Sequence, residues 1–151
     1  MVVGELTSCY FALPMTTLPT PIIILDTEHV VITVSIEERT IALKWKGYAP
    51  TQDFRAALEA GLEAVKEHDL RFWLADLRGM SAILRRDEQW TTSDWFPRLA
   101  ATGLKRMAIV TSTDLFNQMS VDRIMDDAAS VIVFQTSYFD DPDVARLWLS
   151  S

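Results

Sequence analysis

The stretch Val30-Val31-Ile32-Thr33-Val34-Ser35-Ile36-Glu37-Glu38-Arg39-Thr40-Ile41-Ala42-Leu43-Lys44-Trp45-Lys46-Gly47 sets the fold class. Its first half places Val30, Ile32, Val34 and Ile36 on one side and Val31, Thr33 and Ser35 on the other, the period of two that marks a half-buried strand. Glu37-Glu38-Arg39 turns the chain, and the second half alternates again, with Ile41, Leu43 and Trp45 against Ala42, Lys44 and Lys46. Two such runs across a short polar turn predict an antiparallel hairpin, which Gly47 ends. Upstream, Ile22 to Leu25 adds a short apolar run before the break at Asp26-Thr27-Glu28.

Downstream the period changes. Phe54, Leu58, Leu62 and Val65 form a helical stripe, flanked by Ala57, Ala60, Gly61 and Ala64, while Arg55, Glu59, Glu63 and Lys66 face water. Pro50-Thr51 opens this helix, with the Thr51 hydroxyl expected to cap free N–H groups and Asp53 placed at the positive end of the dipole. Arg71 to Asp76 reads as a strand covered on both faces, because Phe72, Trp73, Leu74 and Ala75 are consecutive apolar residues. A second helical region starts at Asp87 and carries Trp90, Trp95, Phe96 and Leu99, and Pro97 is expected to kink or divide it. Trp90 and Trp95 are five apart, so they are not expected to face one way, which suggests an exposed tryptophan or a stack across a homodimer boundary. Gly103 suits the C′ position. Met107 to Thr111 predicts a strand, and Asp114 to Ala129 a helix built on Leu115, Phe116, Met119, Ile124, Met125 and Ala128. Val131 to Phe134 predicts another strand. Asp141-Pro142-Asp143 starts a last helix that buries Val144, Leu147 and Trp148. The fold class is therefore α/β: a mixed sheet with an N-terminal antiparallel hairpin followed by alternating helices and strands, the helices packed on the sheet.

At 151 residues, 49% hydrophobic and 23% charged, with five glycines and six prolines, the chain has the size and composition of one domain with its own core. An arm over residues 1–20, broken by Pro14 and Pro19, and a single domain over 21–151 are expected, with Met15 as an alternative start. Leu6-Thr7-Ser8-Cys9 looks like a lipoprotein processing site but lacks the basic and apolar regions of a signal peptide, and no apolar run is long enough to span a membrane. One cysteine, Cys9, and two distant histidines, His29 and His68, offer no zinc spacing and no thiol pair, and no D-x-D-x-D-G loop appears for calcium or magnesium. No metal and no cofactor are expected, and the location expected is cytoplasmic. A net charge of −7 with scattered lysines and arginines argues against nucleic acid as a partner.

Trp45-Lys46-Gly47, the run Phe72-Trp73-Leu74-Ala75-Asp76, Asp87 with Trp90, Trp95-Phe96-Pro97, Gly103-Leu104-Lys105-Arg106-Met107-Ala108, and Phe139 and Asp141 with Ala145, Trp148 and Leu149 together resemble the SpoIIAA-like small bacterial proteins. These are grouped with the STAS domains of sulfate transporters and anti-sigma-factor antagonists, and more loosely with CRAL-TRIO lipid-binding domains. The resemblance covers about residues 22–151. It implies a non-enzymatic module that binds a protein partner or small ligand at the loop after a central strand and at the next helix N-terminus. In the antagonists a serine or threonine there is phosphorylated. Here the corresponding stretch, Leu84 to Asp87, carries no hydroxyl, and Ser81 lies several residues too early, so the switch is not expected.

The binding face this implies holds Asp76, Arg78, Arg85, Arg86, Asp87 and Trp90. Its partner is another protein or a second copy of the chain. Asp76 also has a plain structural reading, as the ion-pair partner of Arg78 or Arg71. Arg85 and Arg86 with the helix start could hold an anion, or simply be solvated. The alternative function is a carrier of a small apolar or amphipathic ligand, which needs an apolar pocket of about 300 Å³ or more lined by Trp90, Phe96 or Phe116. An enzyme, the least favoured reading, would need Asp76 converging with Ser112 or His68.

Overall fold

The computed structural model describes residues 20–151. The expected arm, apart from Thr20, lies outside the described residues. Six strands form one sheet: β1 (Ile22–Asp26), β2 (Val30–Ser35), β3 (Thr40–Gly47), β4 (Phe72–Met80), β5 (Arg106–Val110) and β6 (Gln135–Phe139). Their spatial order is the order of the chain, with β1, β2 and β3 antiparallel and β3 to β6 parallel.

The connections are α1 (Thr51–His68), then α2 (Arg85–Trp90) running through a π-helical turn (Thr91–Trp95) into α3 (Phe96–Ala100), and α4 (Leu115–Ala128); α5 (Pro142–Ser150) follows β6. Because each parallel strand is laid down on the same side of the last, crossovers of one hand must put all the connecting helices on one face. Phe54, Leu58, Trp95, Leu99, Val121 and Ile124 from those helices accordingly pack with Val30, Ile32, Ile41, Leu43, Trp73 and Ile109 in one core. The hairpin alternation holds, with Ala42 turned to the opposite face. That face is closed by α5 where Ala42 of β3, Leu74 of β4 and Ala108 and Val110 of β5 meet Ala145 and Leu149, and Phe139 of β6 packs on Trp148. Small residues let α1 approach closely: a Cβ on Gly61 would lie 2.6 Å from the buried Trp73 ring.

Several expectations change. The Thr51 hydroxyl does not cap α1; Pro50 occupies the N-cap without a side-chain hydrogen bond. β4 continues past Asp76 to Met80, since Lys46 and Gly47 of β3 go on pairing with Gly79 and Met80. The run Val131 to Phe134 is not a strand. It is a connection whose Phe134 enters the core and stacks on Phe96, and the strand is the more polar Gln135–Phe139 at the sheet edge. On α4, Leu115, Phe116 and Met119 are exposed, whereas Asn117 and Ser120 are buried, because these two bond the chain between β4 and α2. On α5, Val144 and Leu147 are exposed and Ala145 and Leu149 are buried, since the small Ala145 seats the helix on Ala108.

The expectation that Trp90 and Trp95 face different ways does not hold. Trp95 is buried and donates its indole Nε1 to the Leu58 carbonyl at 2.9 Å, while Trp90 is half-buried and packs on the same core. The π turn between them, closed by Phe96 N–H donating to the Thr91 carbonyl five residues back, lets residues five apart share a side. It sits just before Pro97, whose ring removes an N–H and crowds the carbonyl four residues earlier. Gly103 ends the segment at φ +88°, as its composition suggested.

Candidate functional site

The start of α2 is bolted to the rest of the molecule by two buried carboxylates. Asp87 is 1% exposed and accepts from Thr51 Oγ1 at 2.9 Å and from Arg55 Nε at 3.1 Å, both on α1. Thr51 Oγ1 in turn accepts from Arg86 Nε at 2.9 Å, and the Arg55 guanidinium reaches the Arg86 carbonyl at 3.4 Å. The same guanidinium lies over the Trp90 ring, 5.0 Å from its centroid, where a cation is attracted by the π face. Glu88, also buried, takes both nitrogens of a fork from Arg123 on α4, at 2.9 and 2.8 Å. That bidentate geometry is the strong form of the carboxylate–guanidinium pair. Arg85 and Arg86 are left on the surface above.

Thus Arg85, Arg86, Asp87 and Trp90 come together. Asp76 and Arg78 do not join them. Asp76 sits opposite Lys44 in the β3–β4 register, on the sheet face that α5 partly covers. Arg78 donates to it from its backbone N–H at 3.3 Å, from Nε at 3.0 Å and from the outer guanidinium nitrogen at 2.8 Å. Burial alone would push the Asp76 carboxyl up, but the Arg78 hydrogen bonds and charge, with a smaller pull from Lys44, hold it below the usual carboxylate range. This is the pairing the sequence offered as the plain structural reading.

Neither does the structure gather Asp76, Ser112 and His68. Ser112 lies beyond β5 on the face opposite Asp76, where its hydroxyl donates to the Met80 carbonyl at 2.8 Å and accepts from Asp114 N–H at 3.0 Å. His68 is in the last turn of α1, at the end of the sheet where β4 begins. The apolar cavity in the main core, between Trp45, Trp73, Trp95, Phe96 and Met125, has a volume of about 80 Å³ and reaches neither Trp90 nor Phe116. Ligand pockets run from about 300 Å³ upward, so this space is a packing gap on the scale of small side chains. No group of three or more His, Cys, Asp or Glu side chains placed to hold a metal occurs among the described residues, and no helix there is long and apolar enough to cross a membrane.

The sequence reads Thr51 only as a helix cap and Arg55 only as a water-facing residue, and it carries no reading of Glu88 or Arg123. Only the Arg85–Glu88 spacing of three carries a local signal; the other pairs join residues more than 30 positions apart.

The sheet is thus laid down in chain order, with its crossover helices on one face and the start of the second helical segment tied to α1 and α4 by buried ion pairs. A family model described as SpoIIAA-like matches residues 40–150, and the chain belongs to that family. Domains of this kind are typically non-enzymatic and regulatory, acting through protein contacts. No curated protein matches the sequence.

Proposed function

We propose that the protein is an interaction domain that docks a protein partner on the surface at the start of α2, without a phosphorylation switch. The observation that carries this reading is the Asp87 network. At the end of the stretch Leu84 to Asp87, which carries no hydroxyl, stands a carboxylate that is 1% exposed and tied to Thr51 and Arg55. Its negative charge is turned inward and neutralised, so the surface it supports, Arg85, Arg86 and the open edge of Trp90, is held in one arrangement. Preorganisation of this kind reduces the ordering cost of association, and arginine and tryptophan are residue types that anchor interfaces. The partner surface that suits it is acidic with an apolar centre. A second copy of the chain and a cytoplasmic setting are the finer options within this reading. Asp76 and Arg78, on the other face, belong to a separate surface beside α5.

The test is affinity capture of the tagged chain from its own cells, with Arg85→Glu/Arg86→Glu as the matched variant. Because Arg86 donates to Thr51 and Arg85 pairs with Glu88, the variant should melt somewhat below the wild type yet stay folded by circular dichroism at the capture temperature, and the folded variant should lose the captured protein. Equal recovery by the variant would move the docking surface elsewhere. Intact-mass measurement of the recovered chain should show no added phosphate, and a phosphate on Ser81 would reinstate a switch.

A further inference from the structure

Asn117, in the first turn of α4, is 1% exposed. Its Nδ2 donates to the Ser81 carbonyl at 2.8 Å, which fixes the orientation of the amide. The other end, Oδ1, is buried and has no hydrogen-bond partner. A buried acceptor in that state is uncommon and points to a donor that belongs beside it. Asn117 lines a cleft of about 170 Å³ at the ends of β4 and β5, with Thr111, Asp122 and Tyr138 as polar walls over Ile109 and Val121. That is several times the roughly 30 Å³ share of one water, yet below drug-sized pockets.

The charge of the cleft selects among ligands. Asp122 stands at its rim and Asp126 one turn further along α4. Burial first, then these two carboxylates, push the Tyr138 phenol above its ordinary range, so it stays an O–H. The positive end of α4 does not offset them. Asp114 accepts from Phe116 and Asn117 N–H at 2.8 and 3.1 Å, and its carbonyl takes Gln118 N–H at 3.0 Å. The cleft therefore presents acceptors and negative charge above an apolar floor.

We infer that this cleft binds a primary ammonium on a short alkyl stem, with the ammonium between the Asp122 carboxylate and Asn117 Oδ1 and the methylenes on Ile109 and Val121. The chemistry is shared by a free alkylamine and by a lysine side chain of a partner. This site is distinct from the α2 surface and stands whether or not that surface docks a protein.

The test is an NMR titration of the full chain at low ionic strength with butylammonium, using 1-butanol and butyrate as the neutral and anionic counterparts. Saturable shifts at the Asn117 side-chain amide and at Tyr138 are expected with butylammonium alone. Asp122→Asn, at an exposed position, should fold normally and weaken binding roughly two- to fivefold, the range for a solvent-exposed ion pair. Asn117→Leu should weaken it roughly tenfold or more, as for loss of a hydrogen bond to a charged group. Equal shifts with butanol, no saturation, or an unaltered Asp122→Asn would reduce the feature to a solvent-filled cleft and overturn the proposal. A capped Gly-Lys-Gly peptide separates the sources: tighter binding than butylammonium identifies a partner lysine, weaker binding a free amine.

Discussion

Asp76 shows how two opposing environments act on one carboxylate. Burial favours its neutral form, and the fork of Arg78 favours its charged form more strongly, so the folded value lies below the unfolded one. A group with that sign contributes stability that is fully present above the unfolded value, near pH 4, and is lost as the pH falls through the depressed folded value. Replacing Arg78 leaves burial opposed only by Lys44. Carboxyl-carbon NMR should therefore place the Asp76 midpoint below about 3.9 in the wild type and above it in Arg78→Met. Acid unfolding of the variant should begin at higher pH. An unmoved midpoint would mean that the pair is not formed in solution. Asp87, by contrast, is held by two donors from one element, Thr51 and Arg55 of α1, so its role is to fix the start of α2 against that helix.

At the scale of elements, the wide turn between α2 and α3 ties a proline to the placement of two tryptophans. Deleting the exposed Ser93 would make the helix regular and bring Trp90 and Trp95 to a spacing of four, but it would also set Pro97 inside an unbroken α-helix, at a cost of about 3 kcal/mol. Thermal unfolding followed by circular dichroism should show a large drop in melting temperature for the deletion, largely recovered on adding Pro97→Ala. A deletion that melts like the wild type would separate the turn from the proline. This turn also marks where sequence patterns stop being informative. The hairpin was legible because alternation is a local signal, and the crossover helices because their stripes are. The face of α4 was not, since Asn117 and Ser120 are drawn inward by backbone groups between β4 and α2 that no periodicity reveals. Nor was β6, where an edge position suits a polar strand while the apolar run before it fills the core. The candidate residues near Asp87 were legible as a cluster in sequence. That Asp76 and Arg78 lie on the opposite face depends on where β4 ends, which the pairing with β3 decides.

Across the whole molecule the two faces of the sheet are unequal. Three crossovers cover one, and α5 alone closes part of the other. Removing the side chain of Leu149, 2% exposed, should cost about 2–5 kcal/mol in urea unfolding. Leu147→Ala, at 70% exposure on the same helix, should stay within about 0.5 kcal/mol. Similar losses at the two positions would contradict the seating of α5. The strand order carries a consequence for synthesis. Every strand after the first pairs with the one made just before it, so a chain leaving the ribosome can extend its sheet step by step without waiting for a distant segment. Only the far face is excepted. Leu74, Ala108 and Val110 remain bare until Pro142–Ser150 has emerged, and in that interval the nascent chain offers chaperones an apolar surface that the finished protein no longer shows.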